Sequence, residues 1–187
     1  MTLNPQELVD AHGVAHSRHQ FLARHTKRVW SLATRMGASL GLQGDALRNL
    51  ELAAVLHDVG KISVPDSVLL KAGPLDLEEW DLMRRHPLWG AEMITVAPGL
   101  EQVAQIVLTH HERFDGLGYP IGLRGEEIST ASKVIAVCDA YDAIVSDRPY
   151  RRAQSSRFAL KELRSGAGSQ FDPDIVAGFS DILSEAA

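Results

Sequence analysis

The sequence predicts an all-α fold on three observations. Apolar residues recur at helical spacing along most of the chain, no stretch alternates apolar and polar residues over a strand's length, and neither an internal repeat nor a low-complexity linker interrupts the pattern. With 187 residues, 45% of them hydrophobic, the chain can bury a substantial core without disulfides or a structural metal. One domain over residues 1–187 is therefore expected, with residues 1–20 as a leading helix or arm and residues 21–187 as the core.

The elements follow in order. Between Leu22 and Met36, the residues Leu22, Val29, Leu32, Ala33 and Met36 make an apolar stripe, and His25 falls on it. A second helix spans about Asp45 to Asp58, with Leu47, Leu50, Ala54 and His57 on one face, and stops at the Gly60-Lys61 turn. Ser63 to Asp66 and Gly73-Pro74 read as loops. Asp76 then opens a helix with Glu79 three residues on, as in a capping box, and this helix is expected to deliver His86 at its end, just before Pro87. The stretch from about Leu100 to His111 is apolar and periodic, and Asp115 to Pro120 breaks it and begins a long loop. Long loops inside compact domains usually serve function. The most apolar helix, Ser129 to about Asp147, should be central; another begins near Ser155, and Asp172-Pro173 supplies an N-cap and a first-turn proline for the last.

A net charge of -5 and a pI near 5.9 argue against a protein that embraces long nucleic acid, because such binding needs many Lys and Arg contacts to phosphate. A small anionic ligand stays open, since a metal or a local Arg cluster can hold it. The single cysteine, Cys138, excludes an internal disulfide, and the N-terminus MTLNPQELVD lacks the basic-then-apolar pattern of an export signal, so a cytoplasmic location is expected. No apolar run approaches the roughly 20 residues that cross a bilayer, so direct membrane insertion is not expected.

The histidines carry the chemical signal. His57-Asp58 at a helix end can turn both side chains toward one ion, with the carboxylate free to bridge to a second; taken alone, the pair reads better as a helix terminus with a surface His and a capping Asp. His110-His111 repeats the arrangement before the Gly116-Leu117-Gly118 break, which suits adjacent ligands that a regular helix would point about 100° apart. Asp139 sits in an apolar helix among Val134, Ile135, Val137, Cys138 and Tyr141, where a buried carboxylate needs a partner; metal ligation is preferred to a solvated stripe shared with Asp142. His25 alone would be a satisfied core histidine, and His86 alone a charge at a helix C-terminus. Together, five histidines and two aspartates without a thiolate suit iron, manganese, zinc or nickel rather than a Cys-rich structural zinc site. His12, His16 and His19 read as solvated residues without a function.

His25, then HDVGK at His57 to Lys61, His86-Pro87, HHERFDGLGYP at His110 to Pro120, Asp139 and SDRPYR at Ser146 to Arg151 stand in an order that resembles the HD-GYP family of cyclic di-GMP phosphodiesterases. The match runs from about residue 25 to residue 176 and includes Phe171-Asp172-Pro173. The resemblance implies a compact HD-type helical bundle with a metal centre in its core and a GYP loop at the mouth of the site. It implies that His25, His57, Asp58 and Asp139 hold one divalent metal ion, and that Asp58 bridges to a second held by His86, His110 and His111. Iron or manganese is the expected metal, with nickel or zinc also compatible, and a hydroxide shared by the ions would be the nucleophile. By the family's pattern Asp58 and Lys61 are catalytic, with Lys61 on the scissile phosphate, and Arg148 and Arg151 hold the ligand's phosphates or guanine. Tyr119 would line or stack on the nucleotide, or else anchor a turn; Gly116 and Gly118 give the loop backbone freedom ahead of Pro120.

Members with three metals carry a glutamate one helical turn before the first histidine, where this chain has Phe21. A binuclear centre is therefore expected, with pGpG as the product that accumulates and further hydrolysis to GMP left open. The implied ligand is cyclic di-GMP or a related cyclic dinucleotide, and the implied protein partners are a diguanylate cyclase or a sensory domain. Three rivals are weaker. A receptor module of the same fold needs no full metal shell; an HD phosphohydrolase acting on another nucleotide leaves His86, His110, His111 and the GYP loop unexplained; a structural scaffold leaves the whole set without a role.

Overall fold

The computed structural model describes residues 20–147 and 152–184, without the side chains of residues 20–23. The expected leading segment with His12, His16 and His19, the Phe21 side chain, and the ligand-binding candidates Arg148 and Arg151 lie outside the described residues.

Local chemistry sets the helix boundaries. Helix α1 (Gln20–Ser39) buries Val29, Ala33 and Met36, and after Gly41 and Gly44, both at positive φ, the chain enters α2 (Gly44–Leu56). A 3-10 turn (Val59–Ser63) and a short helix α3 (Asp66–Leu69) follow. Helix α4 (Leu77–Met83) has the expected capping box: Glu79 N donates to Asp76 Oδ1 over 2.9 Å and Asp76 N donates to Glu79 Oε2 over 2.8 Å. Next come α5 (His86–Thr95), α6 (Glu101–Thr109), a second 3-10 turn (Gly125–Glu127) and α7 (Thr130–Val145), capped by Ser129. Helix α8 (Ser156–Ser165) is capped by Ser155, and α9 (Pro173–Ser184) by Asp172, whose Oδ1 accepts from Asp174 N and Ile175 N. No strand occurs among the described residues, so the all-α expectation holds.

Helix α1 packs on α2 and α7, α5 packs on α6 and on the first 3-10 turn, and α9 closes the bundle over α1, α7 and α8. Val29, Leu50, Val103, Val107, Ile135 and Phe179 lie in the shared core, and α7 is as central as its apolar sequence predicts. No helix among the described residues is long and apolar enough to cross a membrane.

Three boundaries differ from expectation. Helix α2 stops at Leu56, so His57 is its C-cap and Asp58 already belongs to the turn. Helix α4 stops at Met83, and His86 opens α5 instead of closing the helix before it. The reason is Pro87: without an N–H and with φ fixed near the helical value, it belongs in a first turn. A third helix, α3, begins at Asp66, at the edge of the stretch read as a loop.

Gly60 presses the first 3-10 turn against α5, and a Cβ there would meet His86 O at 2.0 Å and Gly90 N at 2.5 Å. Gly60→Ala should therefore destabilise the protein by about 3 kcal/mol in urea unfolding, the upper end of ordinary overpacking, because backbone has to move. Gly73→Ala, with nothing within 4 Å of the new methyl, should stay within about 0.5 kcal/mol of the parent.

Candidate metal centre

Helix ends do most of the placing. The last carbonyls of a helix have no partner inside it, and three histidines use them. His57 Nδ1 donates to Ala54 O over 2.8 Å at the end of α2, His86 Nδ1 to Met83 O over 2.7 Å at the end of α4, and His110 Nδ1 to Val107 O over 2.6 Å at the end of α6. Each bond keeps the proton on Nδ1 and leaves the Nε2 lone pair to point inward. His86 Nε2 and His110 Nε2 are buried and meet no hydrogen-bond partner. Buried polar atoms are rarely orphaned, and a lone pair on each suits a cation.

Asp58 lies among these rings. Its Oδ2 is 3.6 Å from His57 Nε2 and 3.8 Å from His25 Nε2, while its Oδ1 is 3.5 Å from His86 Nε2. One carboxylate thus faces two groups, His25 with His57 and His86 with His110 and His111; within each group, Asp58 counted with the first, the candidate ligand atoms lie within 4.8 Å of one another. His25 Nε2 is also 3.3 Å from both His57 Nε2 and Asp139 Oδ1. Ligands about 2.0–2.2 Å from one ion stand roughly 3–3.5 Å apart, so the residues present fit a metal.

Lys61, catalytic by the family's pattern, donates to Asp58 Oδ2 over 2.7 Å. Both line a cavity of about 1020 Å³ with His25, His86, His111, Tyr119 and Asp139. The expected burial of Asp139 needs correction: its side chain is 20% exposed because it opens onto this cavity. The buried acid of α7 is Asp142, at 2%, one helical turn on and away from any solvated stripe. It accepts from His25 Nδ1 over 2.7 Å, pairs with Arg28, and takes a bond from Ser146 Oγ.

The segment after the paired histidines is strapped down. Tyr119 N donates to His111 O over 3.2 Å and its ring lies 5.0 Å from the His111 ring, so Tyr119 both lines the cavity and anchors the turn. Glu112, buried and given no role by the sequence reading, accepts from Ile121 N at 2.7 Å and Gly122 N at 3.0 Å. Gly116 has φ +81° as a freedom-giving glycine should, but Gly118 does not have positive φ. Its reason is closeness: a Cβ there would sit 2.3 Å from Arg113 N.

Burial lowers the basicity of the second histidine group, reinforced by the charge of Lys61 and the neighbouring rings: His86 falls to about 3, His111 to about 4, and His110 well below the usual imidazole range. Burial also opposes a charged His25, but hydrogen bonds to Asp139 and Asp142 win and raise it to about 9. Burial likewise opposes the charged carboxylates, yet Lys61 and the imidazoles hold Asp58, and His25 holds Asp139, well below the usual carboxylate range. At neutral pH Asp58 and Asp139 are charged and His86, His110 and His111 neutral, the forms that bind metals, whereas His25 has to give up its Nε2 proton to ligate.

Residues 12–175 match the HD domain family. The chain belongs to that family. The HD domain is 40% identical over 164 residues to a cyclic di-GMP phosphodiesterase of Thermotoga maritima, covering 87% of this chain and 45% of that protein. It is 43% identical over 152 residues to the cyclic di-GMP phosphodiesterase response regulator RpfG of Xanthomonas campestris pv. campestris, covering 80% and 40%. The chain spans less than half the length of either relative. Among solved structures, an HDG"Y"P protein from Bdellovibrio bacteriovorus superposes with a TM-score of 0.69 at 22% identity, over 86% of this chain and 51% of that one, which shows the shared fold. The HD-GYP resemblance read from the motifs is upheld.

Two predictions concern the HD domain's centre. Asp142→Asn removes the carboxylate behind His25 and should weaken metal binding about 10- to 100-fold in a chelator competition, with the far-UV circular dichroism unchanged. The second concerns pH. Between 6.5 and about 4 the unfolded chain protonates histidines that His86 and His111 keep neutral when folded, so stability falls as pH drops through that window. His25 runs the other way: its contribution is full below 6.5 and lost as pH rises through about 9. The melting temperature of the metal-free protein should therefore peak between these limbs, and His86→Ala should flatten the acid one.

Proposed function

We propose that this chain is a metal-dependent phosphodiesterase that hydrolyses cyclic di-GMP to pGpG at a binuclear centre. The observation that carries the reading is Asp58, one buried carboxylate facing two histidine groups, with unpartnered nitrogens on His86 and His110. His25, His57, Asp58 and Asp139 would hold one ion, and Asp58 with His86, His110 and His111 the other; iron or manganese is the first choice, with nickel or zinc compatible. Held there, the ions would supply an activated water and charge neutralisation for a phosphoryl group. Phe21 in place of a carboxylate supports two ions rather than three.

The chain's own residues would do the rest. Lys61 stands on the cavity wall beside Asp58, where its ammonium can swing to a non-bridging phosphate oxygen. Tyr119 gives the ligand an apolar wall, and the buried Glu112 keeps that wall in place through two backbone amides. Arg148 and Arg151 are proposed for the distal phosphate or guanine, a role suited to forked donors. The whole of residues 1–187 is taken as one domain, with residues 21–187 as the catalytic core, acting with a diguanylate cyclase or a sensory-domain protein. Cyclic di-GMP is chosen because the two relatives described above are named for it.

The test is turnover by protein loaded anaerobically with ferrous iron or manganese, with cyclic di-GMP and its mixed guanine-adenine analogue as separate substrates and products resolved by chromatography. Cyclic di-GMP should give pGpG that persists, and activity should vanish with chelator and in Asp58→Asn. Ligand binding without product, by protein shown to contain metal, would replace the enzyme with a receptor module.

A further inference from the structure

A cyclic dinucleotide carries two bases, and the metal centre with Lys61 accounts for only one phosphodiester. The cavity extends beyond the centre, past His86 and Met83, to Trp80 on α4. No residue of α4 is fully buried, and Trp80 is 44% exposed, so packing gives this position little reason to be tryptophan. Helix α4 is set by its capping box, and the Lys71–Glu79 ion pair links it to the loop before it. Four residues on, and so on the same face of the helix, Arg84 places its guanidinium carbon 5.8 Å from the centre of the Trp80 ring. The same carbon lies 5.7 Å from the centre of the Tyr119 ring, which comes from the loop after α6. Both separations are within cation–π range. Arg84 therefore joins the Trp80 ring of its own helix to the Tyr119 ring of a distant loop, and both rings line the cavity, with Tyr119 against His111.

We propose that Trp80, set beside Arg84 and Tyr119, is a stacking platform for a purine base of the bound dinucleotide. Every base presents a π-face to an indole, and a guanidinium plane offers both a stacking surface and donors for the acceptors on guanine. Trp80 would act in substrate binding and leave the reacting phosphorus to the metal centre. This rests on the cyclic dinucleotide reading above.

The experiment compares manganese-loaded parent protein with Trp80→Leu and Trp80→Phe, using cyclic di-GMP and methyl p-nitrophenyl phosphate, a small diester with no base. Trp80→Leu should raise KM for cyclic di-GMP by about 5- to 100-fold, the range base–aromatic stacking supplies, with kcat within about threefold and cleavage of the small diester unchanged. Trp80→Phe should restore most of the loss. An unchanged KM in Trp80→Leu, or an equal loss on both substrates, overturns the platform. If the parent protein cleaves the small diester but not cyclic di-GMP, the dinucleotide reading fails first and takes the platform with it.

Discussion

A charged carboxylate buried at a helix end needs compensation from every side, and the packing around Asp58 supplies it. Desolvation of such a group costs several kcal/mol unless partners surround it. Here Lys61 comes from the same turn, His57 from the end of α2, His25 from α1 and His86 from the start of α5. That requirement explains why Gly60 lacks a side chain: the turn carrying Asp58 and Lys61 has to lie directly on the backbone of α5. It also fits the burial of His86, His110 and His111, since a drier site keeps these imidazoles neutral and strengthens charge interactions around them.

Helix termini solve the problem of aiming several ligands at once. A histidine just past the last turn of one helix finds a free carbonyl for Nδ1, and its Nε2 is then fixed in direction and protonation state. His57, His86 and His110 use this device. His25, in mid-helix, has no free carbonyl and takes Asp142 instead. The second carboxylate of α7 is therefore spent on orientation, and Arg28 and Ser146 in turn hold it. Beyond the centre, the paired histidines, Glu112 and Tyr119 are consecutive in space, so the cavity wall and the imidazoles of His110 and His111 share one stretch of chain.

Much of this was legible in the sequence. The helical periodicity gave α1, α2, α6 and α7, the cap residues gave α4 and α9, a start near Ser155 gave α8, and the helix-end and core-facing positions of five histidines and two aspartates, with the family resemblance, gave the set that the fold brings close together. Helix α5 was missed because its sequence is short, apolar and opened by His-Pro, which reads as a stop after α4 as easily as a start. Asp142 was missed because periodicity cannot say which of two acids one turn apart points at a neighbouring helix. Glu112 was missed because its partners, Ile121 and Gly122, are backbone amides across a loop. Trp80 was invisible as a ligand contact because an exposed aromatic in sequence carries no sign of the cavity it borders.

The central claim is that Asp58 joins two metal ions. Anomalous diffraction from crystals of the manganese-loaded protein, collected at the manganese edge, tests it most directly. The account predicts two peaks about 3.5–4 Å apart, one beside His25 and His57 and one beside His86, His110 and His111, with the Asp58 carboxylate between them. A single peak, or two peaks that Asp58 does not join, would contradict it.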